Sequence, residues 1–316
     1  MKLVFRIFWV LLVAMAIFAL AGILATWEPD RTVQALSPRW AQPPSQFMAV
    51  QGMQVHVRDE GPRNDPHPIV LLHGTSDSLH TWEGWSQNLR AERRVIRFDL
   101  PGFGLTGPQP QGDYSMATYV QFVVAMLDAL GVESCVLAGN SLGGQIAWNT
   151  ALAQPKRVQQ LVLVDAAGYP MQPGSVPIGF VLARTPVVRH LLEYVLPRGV
   201  VQSSVRNVYG DPSRVTPALV DRYFALTLRT GNRAALAKRL EQPLSGAEAG
   251  IKTLTLPTLI LWGGKDRLIP PDNAQRFAAD IAGAQQVVFE DLGHVPQEED
   301  PVRTVQALRQ FLGMRQ

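Results

Sequence analysis

Apolar positions along the chain fall into three regimes. From Ile7 to Trp27 (IFWVLLVAMAIFALAGILATW) the run is 21 residues long, carries no charge, and leaves only Gly22 and Thr26 outside the apolar set. As a helix rising ~1.5 Å per residue it would extend about 31 Å, close to the ~30 Å of a bilayer's hydrocarbon. Residues 28–45 are polar and contain Pro29, Pro38, Pro43 and Pro44, so they read as a linker or tether. Beyond Ser45 the period changes to two. Phe47–Val50 and Met53–Val57 flank Gln51-Gly52 as a hairpin. Short continuous apolar runs then recur at 69–72, 95–99, 135–138, 161–165, 258–262 and 287–290. Helical patterns lie between them, at Ser115–Leu130 and Gln145–Ala153 for example. Unbroken apolar strands alternating with helices predict an α/β domain with a mostly parallel sheet, covered on both faces.

The alternation stops once. Between Ala166 and Thr255, about 90 residues, there is no strand pattern, whereas a crossover needs only ~10–12. Helix-like spacing at Pro186–Leu196, Pro217–Leu228 and Arg233–Leu240 predicts a helical insertion over one end of the sheet, approximately 170–245. The expected division is therefore 1–27 as an N-terminal segment, 28–45 as a linker, and 46–316 as one globular domain with that insertion.

Charge narrows the picture. The chain has 29 basic and 26 acidic residues in 316, a formal net charge of +3, and no Lys/Arg-rich run. A nucleic-acid partner is not expected. Lys2 and Arg6 precede the apolar run and Glu28 and Asp30 follow it, so the positive-inside rule puts the N-terminus in the cytoplasm and the rest on the outer, periplasmic or extracytoplasmic, face. A run of 21 exceeds the ~7–15 residues of a signal-peptide core, which favours a single-pass membrane anchor. The alternative is a secreted protein cleaved after Ala19-Leu20-Ala21. The single Cys135 excludes an internal disulfide and a cysteine-built zinc site.

The chemistry concentrates at strand ends. Gly139-Asn140-Ser141-Leu142-Gly143 follows one strand and opens a helix, which is the G-x-S-x-G nucleophile elbow in its confirming context. A serine hydroxyl is a poor nucleophile and needs a base, and the base needs an orienting acid. His294 follows the strand that ends at Glu290, and Asp266 follows the one that ends at Trp262. The order Ser141, Asp266, His294 is that of Ser-Asp-His hydrolases built on parallel sheets.

These motifs, with His73-Gly74, Asp99-Leu100-Pro101-Gly102-Phe103-Gly104, Gly264-Lys265-Asp266, and Gly293-His294 followed by Glu299 and Pro301, resemble the α/β-hydrolase superfamily from about Phe47 to the C-terminus. More narrowly they resemble its capped bacterial esterase-like members. The resemblance implies an α/β-hydrolase fold with a helical cap and an oxyanion hole from the backbone amides of Leu142 and Thr75. The loop His73-Gly74-Thr75-Ser76-Asp77-Ser78 departs from the HGGG form of some lipases, leaving the second donor open between neighbouring residues. Serine at 141 sets the chain apart from epoxide hydrolases and haloalkane dehalogenases, which carry Asp at the elbow. Asp165, also at a strand end, is the alternative acid.

The expected activity is hydrolysis of carboxylic esters of small to medium hydrophobic substrates through an acyl-enzyme, without cofactor or metal. The apolar residues Ile178, Phe180, Val181, Leu182, Leu191, Leu192 and Tyr194 of the insertion suggest the lid of the acyl pocket. Carbon–carbon bond hydrolysis of a meta-cleavage type and perhydrolysis use the same triad and stay open. So does a membrane-tethered ligand-binding protein that has kept the fold. Oligomeric state is not encoded in any pattern found. Asp99 and His73 read as organisers of turns rather than proton carriers. His56, His67, His80 and His190 have no metal-ligand spacing.

Overall fold

Apolar runs too short for helices have one way to bury both faces, side by side in a sheet covered by helices. The computed structural model describes residues 2–170, 172–242 and 247–314. It shows eight strands: β1 (Gln46–Val50), β2 (Met53–Glu60), β3 (Ile69–Leu72), β4 (Val95–Phe98), β5 (Cys135–Asn140), β6 (Val158–Val164), β7 (Thr258–Gly263) and β8 (Gln285–Phe289). They form a single sheet in the order β1-β2-β4-β3-β5-β6-β7-β8. β1 and β2 run antiparallel to their neighbours, and β3 to β8 are parallel. Every residue of β3, β4, β5 and β7 is buried, whereas the edge strands β1 and β8 each bury only their last residue, Val50 and Phe289.

Alternation along β3 divides the core. Val70 and Leu72 pack with Phe122 and Ile146 from the helices Met116–Ala129 and Leu142–Ala153. Ile69 and Leu71 pack on the other face with Trp82, Trp85 and Leu308. Chain order places β4 on one side of β3 and β5 on the other. The loops leaving β3 and β5 therefore diverge and open a crevice at the carboxyl ends of the strands, where ligands bind in such sheets.

The interval between β6 and β7 is helical, as expected. It contains Ile178–Arg184, Pro186–Leu192, Arg198–Val208, Pro217–Thr227 and Asn232–Glu241. The first and third were not among the predicted helices. Ile178–Arg184 is only 7 residues long and shows no polar stripe. Arg198–Val208 includes Gly199, two serines and four valines, all poorer helix formers than alanine. Positions 171 and 243–245 of the expected insertion lie outside the described residues.

The N-terminal region differs from expectation in two ways. The segment read as a tether is docked. Thr32 caps a helix at Val33–Trp40, the Arg31 amide donates to Leu228 O at 2.6 Å, and Asp30 pairs with Arg233. Lys2–Ala25 forms one helix of 24 residues with Phe5, Trp9 and Phe18 exposed. Among the described residues, however, no helix is long and apolar enough to cross a membrane. The side chains at 3, 16, 19 and 20, within that run, lie outside the described set. The membrane-crossing expectation is thus not carried by the fold.

Candidate active site

Ser141 stands between the last residue of β5 and the first turn of Leu142–Ala153, with φ 55° and ψ −116°. This conformation is strained for a residue with a side chain and lifts the hydroxyl out of the turn. The turn closes because its flanks are glycine. A Cβ on Gly139 would lie 2.1 Å from Gly143 O, and one on Gly143 would lie 2.2 Å from Leu72 O. Leu142 supplies the first amide of the helix beside Ser141, where the positive end of the helix dipole also lies. Thr75 and Gly74 enter from the loop after β3, and a Cβ on Gly74 would be 3.2 Å from Ser141 Cβ.

His294 and Asp266 come together from the loops after β8 and β7. His294 Nδ1 lies 2.6 Å from Asp266 Oδ2, with both residues buried. Asp266 Oδ1 accepts the Leu268 and Ile269 amides at 2.8 and 3.0 Å, so the carboxylate is fixed at both oxygens. With Nδ1 committed to a carboxylate, Nε2 is the nitrogen left to exchange a proton. Ser141, Thr75 and His294 line one cavity, whose remaining wall is mainly apolar and includes Phe180, Leu192, Val201 and Val205. Of the insertion residues singled out above, Phe180 and Leu192 face this cavity. Ile178, Val181, Leu191 and Tyr194 are exposed instead.

Several residues that hold the site were not assigned that role from sequence. Asn140, the variable residue of the elbow, donates Nδ2 to His294 O at 2.9 Å and Val164 O at 3.1 Å, tying the base's loop to the nucleophile's strand. Glu299 accepts the Gly293 amide at 2.7 Å and the Gly210 amide at 2.9 Å, clamping that loop to the helical insertion. Burial pushes its carboxyl up to about 7. Arg222 is ion-paired to Glu298 and lies 3.7 Å from Asp77 Oδ1. Burial, then the neighbouring Glu298, pushes Asp77 up to about 7. Arg222 and Glu298 are 76 residues apart in the chain, so no local spacing announces their pairing.

The organisers behave as expected. Asp99 accepts the Leu79 and Leu105 amides at 2.7 Å each and faces His56 Nδ1 at 2.8 Å. Burial alone would raise its carboxyl, but His56, His73 and His80 hold it below the usual range. His73 donates Nδ1 to Gly74 O at 2.7 Å and accepts the Leu100 amide on Nε2 at 2.9 Å. It thereby pins the loop after β3 as a neutral imidazole, which burial favours. Asp165 is buried at φ 44° and accepts the Gly263 amide at 3.0 Å. Among the described residues, Asp165, Asp266 and His294 are the one set of three His, Cys, Asp or Glu residues with ligand atoms all within 4.8 Å of one another.

The chain is similar to known hydrolases over most of its length. It is 30% identical over 273 residues to 2-hydroxymuconate semialdehyde hydrolase of Pseudomonas sp. strain CF600, covering 83% of this chain and 91% of that one. The structure of a meta-cleavage product hydrolase from Pseudomonas fluorescens superposes with a TM-score of 0.72 at 28% identity, covering 85% of this chain and 97% of the other. A bacterial membrane phospholipase A structure superposes at 0.70 with 26% identity, covering 99% of this chain and 98% of the other. The profile of the alpha/beta hydrolase family matches residues 69–307. With the parallel sheet, the strained serine at its switch point and the His–Asp pair beside it, the chain belongs to the alpha/beta hydrolase family and is a hydrolase of that fold.

Proposed function

We propose that the protein hydrolyses carboxylic esters by acyl transfer through Ser141. The observation that carries this reading is one apolar cavity lined both by a strained serine at a helix N-terminus and by a histidine bonded to a buried carboxylate. His294 takes the hydroxyl proton as Ser141 attacks the carbonyl, and returns it to the leaving alcohol. Asp266 keeps the imidazole in the tautomer with the proton on Nδ1. The Leu142 and Thr75 amides receive the developing oxyanion, a contribution of roughly 10²–10³ in rate per donor in serine hydrolases. A water activated by His294 then releases the acid. The lining favours an apolar acyl group, and the phospholipase A named above makes a phospholipid acyl ester one candidate of that class. In this reading residues 46–316 are the hydrolase domain and approximately 170–245 its cap.

A second reading is carbon–carbon bond hydrolysis, favoured by the similarity to the 2-hydroxymuconate semialdehyde hydrolase and the meta-cleavage product hydrolase named above. A panel of 4-nitrophenyl esters, a lysophospholipid and a vinylogous diketone separates the two. Ester turnover that is lost in Ser141→Ala, together with fluorophosphonate labelling, is the expected result. Labelling that persists in Ser141→Ala refutes the nucleophile, and turnover of the diketone alone selects the second reading. One covalent label without repeated turnover would instead indicate a binding protein.

We also propose that residues 1–27 anchor the enzyme in a membrane with the catalytic domain on the outer face. Support comes from the exposed Phe5, Trp9 and Phe18, and from a membrane phospholipase alignment that reaches into this segment. Just past the helix's end Trp27 stacks on Tyr194 of the insertion, at 5.6 Å between centroids, and Ile178, Val181 and Leu191 of the insertion are exposed too. Retention in the membrane pellet after carbonate washing is expected. A mature N-terminus at Gly22 or Thr26 refutes the anchor in favour of a cleaved signal.

A further inference from the structure

Asp165 has no part in the mechanism above, yet it occupies an expensive position. It is wholly buried, and its backbone sits in the left-handed region at φ 44°, which non-glycine residues rarely adopt. One carboxyl oxygen accepts the Gly263 amide, while Oδ2 is buried without a hydrogen-bond partner. The carboxyl lies within 4.8 Å of the ligand atoms of both Asp266 and His294. The other acid near it is Glu299, on the turn after His294. Two ionised carboxylates so close in a buried site repel strongly, and one of such a pair holds a proton. The choice between them follows from their partners. Asp266 accepts two amides on one oxygen and meets the histidine ring with the other, so neither oxygen is left without a donor. Asp165 receives one amide, and burial followed by the field of Asp266 pushes its carboxyl well above the usual range.

We propose that Asp165 is a positioning residue for the reaction: it and Asp266 form an acid–carboxylate pair in which Asp165 carries the proton and presents its O–H to Asp266. The inference rests on the roles given to Asp266 and His294 above. A proton on Oδ2 turns a partnerless acceptor into a donor for the Asp266 carboxylate, whose ligand atom lies within 4.8 Å of that of Asp165. The shared proton spreads the Asp266 charge, so that the carboxylate orients His294 without holding the imidazolium so tightly that it fails to return its proton. It also leaves a single negative charge beside His294 where the sequence supplies two acids.

The acid limb of kcat/KM reports the deprotonation of His294 in the free enzyme, and two variants read the proposal through it. Asp165→Asn is neutral and keeps an N–H donor, so the limb stays within about 0.3 pH units of wild type. Were Asp165 ionised, the same change would remove a negative charge close to the imidazole and move the limb down by roughly 1–3 units. That result overturns the proposal. Asp165→Ala removes the donor, concentrates the charge on Asp266 and moves the limb to higher pH. A fall in rate with an unmoved limb indicates mere packing and also overturns it. Difference infrared spectroscopy of wild type against Asp165→Asn reads the proton directly. A protonated-carboxyl C=O band at neutral pH that is missing from the variant supports the pair, and its absence from wild type refutes it. Because this measurement needs no turnover, it separates failure of the pair from failure of the ester-hydrolase reading.

Discussion

Replacing Asp266 by asparagine puts the orientation of His294 to a quantitative test. The two side chains have the same shape, so the outcome depends on which way the amide faces. Asp266 Oδ1 accepts two amide protons, from Leu268 at 2.8 Å and Ile269 at 3.0 Å. An NH₂ group there would oppose two donors and leave both unpaired in a buried site, at ~1–3 kcal/mol each. The asparagine carbonyl must therefore take the Oδ1 position, and its NH₂ must face His294 Nδ1. That nitrogen then accepts instead of donating, and the ring proton moves to Nε2, the atom that has to receive the proton of Ser141. The enzyme folds with its base in the wrong tautomer. In serine proteases the equivalent change costs about 10⁴ in kcat, or about 5.4 kcal/mol at ~1.36 kcal/mol per tenfold. The same loss is expected here for 4-nitrophenyl butyrate, with Tm close to wild type. A folded Asp266→Asn enzyme within tenfold of wild-type kcat would show that another group orients His294. Asp165 would be the first to examine.

Other expectations follow from packing and burial. Gly143→Ala places a methyl 2.2 Å from the Leu72 carbonyl, so a loss of roughly 3 kcal/mol or more is expected, seen as a lowered denaturant midpoint or insoluble expression. Arg222→Met leaves Glu298 and Asp77 without the cation between them. A destabilisation of ~3–5 kcal/mol is expected by denaturant titration, and a change below 1 kcal/mol would show that the pair is dispensable. Burial pushes the Cys135 thiol up to about 12. Native protein should therefore not react with a disulfide reagent at pH 8, while guanidinium-unfolded protein should titrate one thiol.

What could be read from sequence divides along physical lines. All eight strands and the three catalytic candidates rest on short-range patterns, namely apolar runs and glycine-framed turns. In the inner strands these survive folding because strands buried on both faces tolerate little else, while the β1–β2 hairpin shows instead through alternation around Gln51-Gly52. The insertion was legible as an interruption but not in its parts. Helices such as Arg198–Val208 are built from poor helix formers and stay helical through contacts with neighbouring helices, including the one at Pro217–Thr227. The docking of 28–45 was hidden for a related reason. Proline and polar residues mark a linker unless a distant partner captures them, and Arg233, the partner of Asp30, lies 203 residues away. The neighbourhood of Asp165 and Asp266 was hidden too, since two acids at the ends of two strands become neighbours only through the β6–β7 pairing.

That pairing also explains how one scaffold holds three loops in register. Asn140 spans from β5 to Val164 of β6 and to the His294 carbonyl. Asp165 continues β6 and grips the last residue of β7, the strand that delivers Asp266. The His294 amide in turn donates to Val208 O at 2.7 Å, and Glu299 holds Gly210 and Gly293 together. The base is thus fixed on one side by the sheet and on the other by the helical insertion, which also forms the wall of the cavity. A substrate that shifts the Arg198–Val208 helix must disturb the His294 loop and, because Arg267 donates to Asn207 O at 3.1 Å and accepts the Ser175 amide at 2.9 Å, the Asp266 loop as well. Ser141, by contrast, sits at the end of a fully buried central strand. Variation in the acyl group should therefore be felt first through the base. Poorly fitting esters should lose kcat along with affinity, and substitutions at Val201 or Val205 should change both constants together.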